Sequence, residues 1–148
     1  MTTFVQNKKA NFNYEITEKL NAGIELLGFE VKSLRSSQGS LEGAYVTVRG
    51  AEAFLIGMQI PPFQNFNTPK EYDPLRNRKL LLTKKEITQL GEIEKKKGLT
   101  IVPISVYSIG RKIKVELGIA RGKKSFDKRE TIKKRDSDRD IRRAIKDR

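Results

Sequence analysis

The sequence is 148 residues long, 36% hydrophobic and 33% charged, with 31 Lys and Arg against 18 Asp and Glu and a formal net charge of +13. That length allows one domain with an appendage around a compact core, and the excess of positive charge points to a polyanionic partner, because neutralising phosphates releases condensed counterions. Cysteine and histidine are both absent, which excludes disulfides, Cys-ligated zinc and a thiol nucleophile and removes the side chain best suited to proton transfer near neutral pH.

The first ten residues are polar and basic and read as an arm that orders on binding. Met1-Thr2-Thr3-Phe4-Val5-Gln6 lacks a signal-peptide profile, and no apolar run approaches membrane-spanning length. A cytoplasmic location without a membrane partner is expected. Phe12, Tyr14 and Ile16 alternate with Asn13, Glu15 and Thr17, which predicts a half-buried strand. Residues 22–28 read as a second strand with glycines at its bends. Phe29, Val31 and Leu34 fit a short helix that ends before Gly39.

Tyr45 to Val48 and Ala53 to Met58 predict two strands joined by a hairpin loop in which Gly50 takes an unusual backbone angle. Residues 61–77 hold four prolines and three asparagines, a long loop of the kind that is functional or mobile. Thr83 followed three residues later by Glu86 has capping-box spacing. Ile87, Leu90 and Ile93 or Glu94 continue at helical intervals, and Lys95-Lys96-Lys97 and Gly98 close the helix. Thr100 to Tyr107 and Lys112 to Ile119 predict two further strands, the second alternating Ile113, Val115, Leu117 and Ile119 with polar residues.

The expected fold class is mainly β: a small closed oligonucleotide-binding (OB) type barrel of six short strands with short flanking helices, closure removing exposed edges. Residues 1–120 form this barrel with its N-terminal arm. Residues 121–148 form a basic tail holding thirteen cations and six acids but only Phe126, Ile132, Ile141, Ala144 and Ile145 as apolar residues. Such a segment buries too little to offset its ordering entropy and is expected to be disordered when free. Glu130 and Lys134, Asp138 and Arg142, and Ile141 and Ile145 stand four apart, so a helix is latent in it.

Cations interleave with one aromatic from Arg121 to Arg129, a pattern suited to a phosphate backbone and a stacked base. A phosphate-loop reading of this stretch fails, since Leu117 stands five residues before Gly122 and Lys124 takes the Ser/Thr position. Arg76, Arg78 and Lys79 beside Leu81 form a second basic cluster. The residues alone leave Arg78 and Lys79 open between gripping phosphate and dressing the surface. Asn7, Lys8 and Lys9, and Lys32 with Arg35, are further basic points. Glu25, Glu30 and Glu116 have no motif spacing and are better read as surface charges than as catalytic acids. No catalytic residue, metal site or cofactor is expected.

Several stretches resemble, in order, the SsrA-binding protein (SmpB) family: Asn7-Lys8-Lys9-Ala10, Tyr14-Glu15-Ile16, Ala22-Gly23-Ile24, Glu30 to Arg35, Pro74 to Leu82, Lys97 to Pro103, and Gly118 to Lys124 with Asp127-Lys128-Arg129. The resemblance implies a non-catalytic factor that binds the tRNA-like domain of transfer-messenger RNA around its D-loop and elbow. It also implies delivery of that RNA to stalled ribosomes for trans-translation, the tail probing the decoding site of the small subunit and the empty mRNA channel. Elongation factor Tu is then an indirect partner through the charged RNA, and a monomer is expected. Carried over by position, Asn7, Asn21, Ala22, Gly23, Arg78, Lys79, Leu81 and Lys114 belong to the RNA-binding faces, joined by Lys8, Lys9, Lys32, Arg35 and Arg76. Gly122, Lys123, Lys124, Phe126, Asp127, Lys128 and Arg129 serve the tail's ribosomal contacts, joined by Arg121, Lys133, Lys134 and Arg135. Asn21 stands where the family usually has Glu, and Phe126 where it often has His or Tyr. The alternatives are a generic basic OB-type module, such as an initiation-factor-like or ribosomal protein, and a metal-dependent nuclease or phosphoryl-transfer enzyme. The second needs clustered acids.

Overall fold

A computed structural model, which describes residues 2–63 and 69–122, curls seven antiparallel strands into a ring. In chain order the elements are β1 (Thr2–Gln6), α1 (Ala10–Asn13), β2 (Tyr14–Ile24), α2 (Gly28–Arg35), β3 (Tyr45–Arg49), β4 (Glu52–Ile56), β5 (Arg78–Leu81), α3 (Lys84–Glu94), β6 (Leu99–Ile109) and β7 (Lys112–Gly122). Six strands close the ring in the order β6-β3-β4-β5-β2-β7, with β7 returning to β6. The seventh, β1, lies on the outer half of β6 from Thr2↔Ser108 to Gln6↔Ser105, whereas β3 meets β6 at Val46↔Ile101. Thus β1 and β3 share one edge of β6 end to end.

The core follows from strand alternation. Leu55 of β4, Leu80 of β5, Ile101 and Val106 of β6, and Val115 and Leu117 of β7 all point inward with essentially no exposed surface. Each such side chain is worth about 1.5–3 kcal/mol of transfer free energy. Leu34 of α2 and Leu90 of α3 plug the barrel from outside the sheet. Helix α3 begins as its spacing predicts: the Thr83 hydroxyl accepts from the Glu86 N–H at 3.2 Å, and the Glu86 carboxylate accepts from the Thr83 N–H at 3.0 Å. It also repairs a gap. Where β3 runs beyond its short pairing with β6, Glu94 accepts hydrogen bonds from Thr47 Oγ1 (2.6 Å) and the Val48 N–H (2.9 Å), so a carboxylate does the work of a missing strand.

Several boundaries differ from expectation, each for a local reason. The N-terminal arm is a strand, because Val5 is buried and Thr2 to Gln6 pair with β6. Asn7 then staples the end of β1 to the bulge at Pro103 and Ser105, its backbone N–H donating to Ile104 O (2.8 Å) and its Nδ2 to Pro103 O (2.9 Å). Phe12 lies in the short helix α1, and the two strands expected over 12–17 and 22–28 are one strand, β2. A bulge between Ile16 and Glu18 shifts the inward parity, which splits the apolar pattern without ending the strand. Strand β7 runs on to Gly122, so Arg121 and Gly122, assigned to the tail, close the barrel opposite Glu15 and Tyr14. Lys123, Lys124, Phe126, Asp127, Lys128, Arg129, Lys133, Lys134 and Arg135, with the rest of the expected tail, lie outside the described residues.

Candidate nucleic-acid interface

Pairing register places residues that are far apart in sequence in one line on the outside of the barrel. Leu81 of β5 opposes Gly23 of β2, Gly23 opposes Lys114 of β7, and Lys114 opposes Tyr107 of β6. Directly paired residues share a face of the sheet. An open groove of about 630 Å³ follows this row, lined by Asn21, Gly23, Lys79, Leu81 and Lys114 together with the start of α3.

Each lining side chain has a distinct local reason for its position. Gly23 leaves room: a Cβ there would come within 3.0 Å of the Leu81 Cβ. Leu81 leans over that bare backbone and remains 51% exposed, an aliphatic surface without a covering partner among the described residues. Asn21 is held by its oxygen, which accepts from the Tyr107 hydroxyl at 2.7 Å. Its two amide N–H donors bond to no acceptor among the described residues. Burial, and then the Glu116 carboxylate, push the Tyr107 hydroxyl above its ordinary pKa and keep it a donor. The Lys79 ammonium lies 3.6 Å from Glu52 across half-exposed side chains, a rim pair worth about 0–1 kcal/mol that an arriving phosphate can displace. Lys114 forms no ion pair among the described residues. Three lysines (Lys79, Lys84 and Lys114), an amide donor and an exposed aliphatic therefore converge on one groove beside the carboxylates of Glu52 and Glu86, a chemistry suited to phosphate, ribose and base edge in turn.

The neighbouring arginines have a different fate. Arg78, expected on the RNA face, has no exposed surface. Its Nε and Nη2 donate to Glu30 Oε2 at 2.9 and 2.7 Å. Its Nη1 donates to Met58 O (2.6 Å) and Arg76 O (3.1 Å), and its Nη2 also reaches the Tyr72 hydroxyl (3.0 Å) and Pro74 O (3.1 Å). Arg76 closes on the same carboxylate through Nε (3.1 Å) and Nη2. Glu30, read from sequence as a surface charge, is fully buried; it also accepts from the Leu27 N–H (2.7 Å) and Tyr72 OH (2.8 Å). Burial alone would raise its carboxyl, but the hydrogen bonds from Arg76, Leu27 and Tyr72 and the Arg78 charge outweigh this and hold it below the ordinary value. Burial and the adjacent Glu30 charge push the Tyr72 hydroxyl up to about 12. Tyr72 also packs edge-on against Phe29, with ring centroids 4.6 Å apart. The cluster ties α2, the end of the long loop and the start of β5 together, leaving no guanidinium of Arg78 for a partner.

The remaining expected residues lie elsewhere. Ala22 points into the core with 2% exposure, so only its backbone could face a ligand. Asn7 is engaged with β6, and Lys9 pairs with Glu42 at 2.6 Å near Lys8, in a separate depression between β1 and the loop after α2. Lys32 and Arg35 are exposed on α2. The sequence reading missed Glu30 and Tyr72. Glu30 stands four residues before buried Leu34, a spacing that marks the inner face of α2. Among the described residues no cluster of three or more acids could hold a metal ion, and no helix is long and apolar enough to cross a membrane.

Known proteins match most of the chain. An SsrA-binding protein of Chloroflexus aggregans is 48% identical over 141 residues, covering 95% of this chain and 89% of that protein. One from Malacoplasma penetrans is 47% identical over 146 residues, covering 99% of both. A solved structure described as "tmRNA-SmpB: a journey to the center of the bacterial ribosome" superposes with a TM-score of 0.68 at 41% identity, covering 81% of this chain and 84% of that one. The family model for SmpB protein matches residues 4–147, and the chain belongs to that family.

Proposed function

We propose that this chain binds the tRNA-like domain of transfer-messenger RNA and carries it to stalled ribosomes for trans-translation. The observation that carries this reading is the convergence of Asn21, Gly23, Lys79, Leu81 and Lys114, from three strands, on one outer groove. Lys79 and Lys114 take phosphates, the Asn21 amide donates to a ribose or base-edge acceptor, and Leu81 packs against an exposed sugar or base. A rigid barrel presenting these groups recognises a folded RNA by its shape. The similarity to SsrA-binding proteins and to a structure of tmRNA-SmpB on the ribosome supports that choice of RNA over a generic one.

On this reading the chain is a binding adaptor rather than an enzyme. It works as a cytoplasmic monomer and meets elongation factor Tu only through the charged RNA. Residues 1–122 hold the RNA. The segment that follows, from Lys123 through Phe126, Lys128, Arg129, Lys133, Lys134 and Arg135, enters the decoding site and the empty mRNA channel. Removing residues 131–148 tests this division of labour. Affinity for a transcript of the tRNA-like domain should stay within about twofold, while tagging of a peptide on a truncated message is lost. Loss of RNA affinity on truncation would overturn it.

A further inference from the structure

The groove does not exhaust the cationic outer face. Strand β2 leaves β7 after Gly23↔Lys114 and turns to β5, the Glu25 N–H donating to Lys79 O at 2.9 Å. Strand β1 covers β6 only as far as Ser108. Beyond these points the β6–β7 hairpin runs on as a two-stranded ribbon through Ser108↔Ile113 and Ile109↔Lys112. It turns at Gly110 (φ 59°) and Arg111, glycine at the first central position as a type II′ turn requires.

Side-chain parity decides which face the ribbon's tip presents. Ile109 is two residues from Tyr107, and Lys112 is two residues from Lys114. The Ile109–Lys112 pair therefore forms the next row on the face that carries the Tyr107–Lys114–Gly23–Leu81 row, about 7 Å further along. Ile109 is 53% exposed, the same condition as Leu81 in the groove. Arg111 and Lys112 are exposed and form no ion pair among the described residues. The nearest acid on their strand, Glu116, lies in the row on the far side of Lys114, 3.9 Å from Lys19. An aliphatic side chain held out of the core at the tip of a hairpin, next to two unpaired cations and continuous with a cationic groove, has no role in packing the barrel.

We propose that the tip of the β6–β7 ribbon is a second RNA contact, in which Arg111 and Lys112 bind backbone phosphates and Ile109 packs on an exposed ribose or base of the RNA already held in the groove. This rests on the proposed RNA-binding function and extends its footprint beyond Lys114. Phosphate contacts set the salt dependence of binding, whereas an apolar contact leaves it unchanged.

The test uses the full chain and a transcript of the tRNA-like domain, with Kd measured between 50 and 300 mM salt. The double variant Arg111→Gln/Lys112→Gln should lower the slope of log Kd against log salt by about two, one for each phosphate released. Ile109→Ala should weaken binding about three- to tenfold with the slope unchanged, as expected for loss of a small apolar contact. The charge-matched control Lys95→Gln/Lys96→Gln, beyond the far end of α3, should leave the slope within about 0.5 of the parent. Thermal melting of each variant establishes that the barrel is intact. An unaltered slope in the first variant, or an equal fall in the control, overturns the proposal. If Lys79→Ala and Lys114→Ala still weaken binding in that event, the groove stands and only the ribbon falls. If they have no effect either, the reading of the groove is what failed.

Discussion

Arg78 and Lys79 are consecutive cations on β5, and the barrel wall separates them completely. Arg78 points inward and is saturated by one carboxylate, a tyrosine hydroxyl and three carbonyls. Lys79 points outward, loosely paired with Glu52 at the rim of the groove. The lesson is that charge density in a sequence does not locate a binding face; strand parity does. The two sides are mechanically joined, because the residue that anchors the start of β5 from within also holds the strand whose outer residues, Lys79 and Leu81, line the groove.

The largest expected effect comes from breaking the inner side. Arg78→Met leaves Glu30 with part of its compensation removed and should cost about 3–5 kcal/mol in chemical denaturation. The double variant Glu30→Leu/Arg78→Met should recover a good part of that loss, since removing a whole buried pair is far less costly than removing half of it. A single-variant loss below about 1 kcal/mol would mean that the cluster does not anchor the start of β5. The cluster also has a pH signature. Glu30 is held below its ordinary 4.5, so its contribution is complete above that pH and is lost as the pH falls through the lower folded value. Tyr72 is raised to about 12, so its contribution is complete below pH 10 and is lost as the pH climbs toward 12. Tyr72→Phe should therefore flatten the alkaline limb of the stability profile and leave an acid limb in place.

A smaller effect is expected at the seam between the two sides. Gly23→Val places new atoms against Leu81 and should cost about 1–3 kcal/mol of stability through overpacking. It should also displace Leu81 from the groove, so RNA affinity falls more than in Gly23→Ala. Equal affinity in both variants would show that Leu81 does not touch the RNA.

The parts of this molecule that are legible in sequence are those where local chemistry and global fold agree. The β3–β4 hairpin with Gly50, the Thr83–Glu86 cap of α3 and the alternation of β7 all have short-range signatures that the tertiary structure keeps. Strand β1 was hidden because only Val5 of its five residues is buried, its stability coming from pairing with a strand a hundred residues away. The unity of β2 was hidden by its bulge. In the site, Asn21, Gly23, Lys79, Leu81 and Lys114 do meet in one groove. Arg78 does not, although the sequence held the clue: it shares strand parity with Leu80, which could only be core. Glu30 could not be seen as buried without its partners, which lie 42 to 48 residues further along the chain.

Competition binding tests the outer side most directly. The full chain, with and without Lys79→Ala/Lys114→Ala, is titrated against a transcript of the tRNA-like domain in the presence of excess RNA duplex of equal length, at several salt concentrations. The parent chain should show a salt-sensitive preference for the tRNA-like fold that the double variant loses while its melting temperature is unchanged. Equal affinity for the two RNAs, or a preference that survives removal of both lysines, would contradict it.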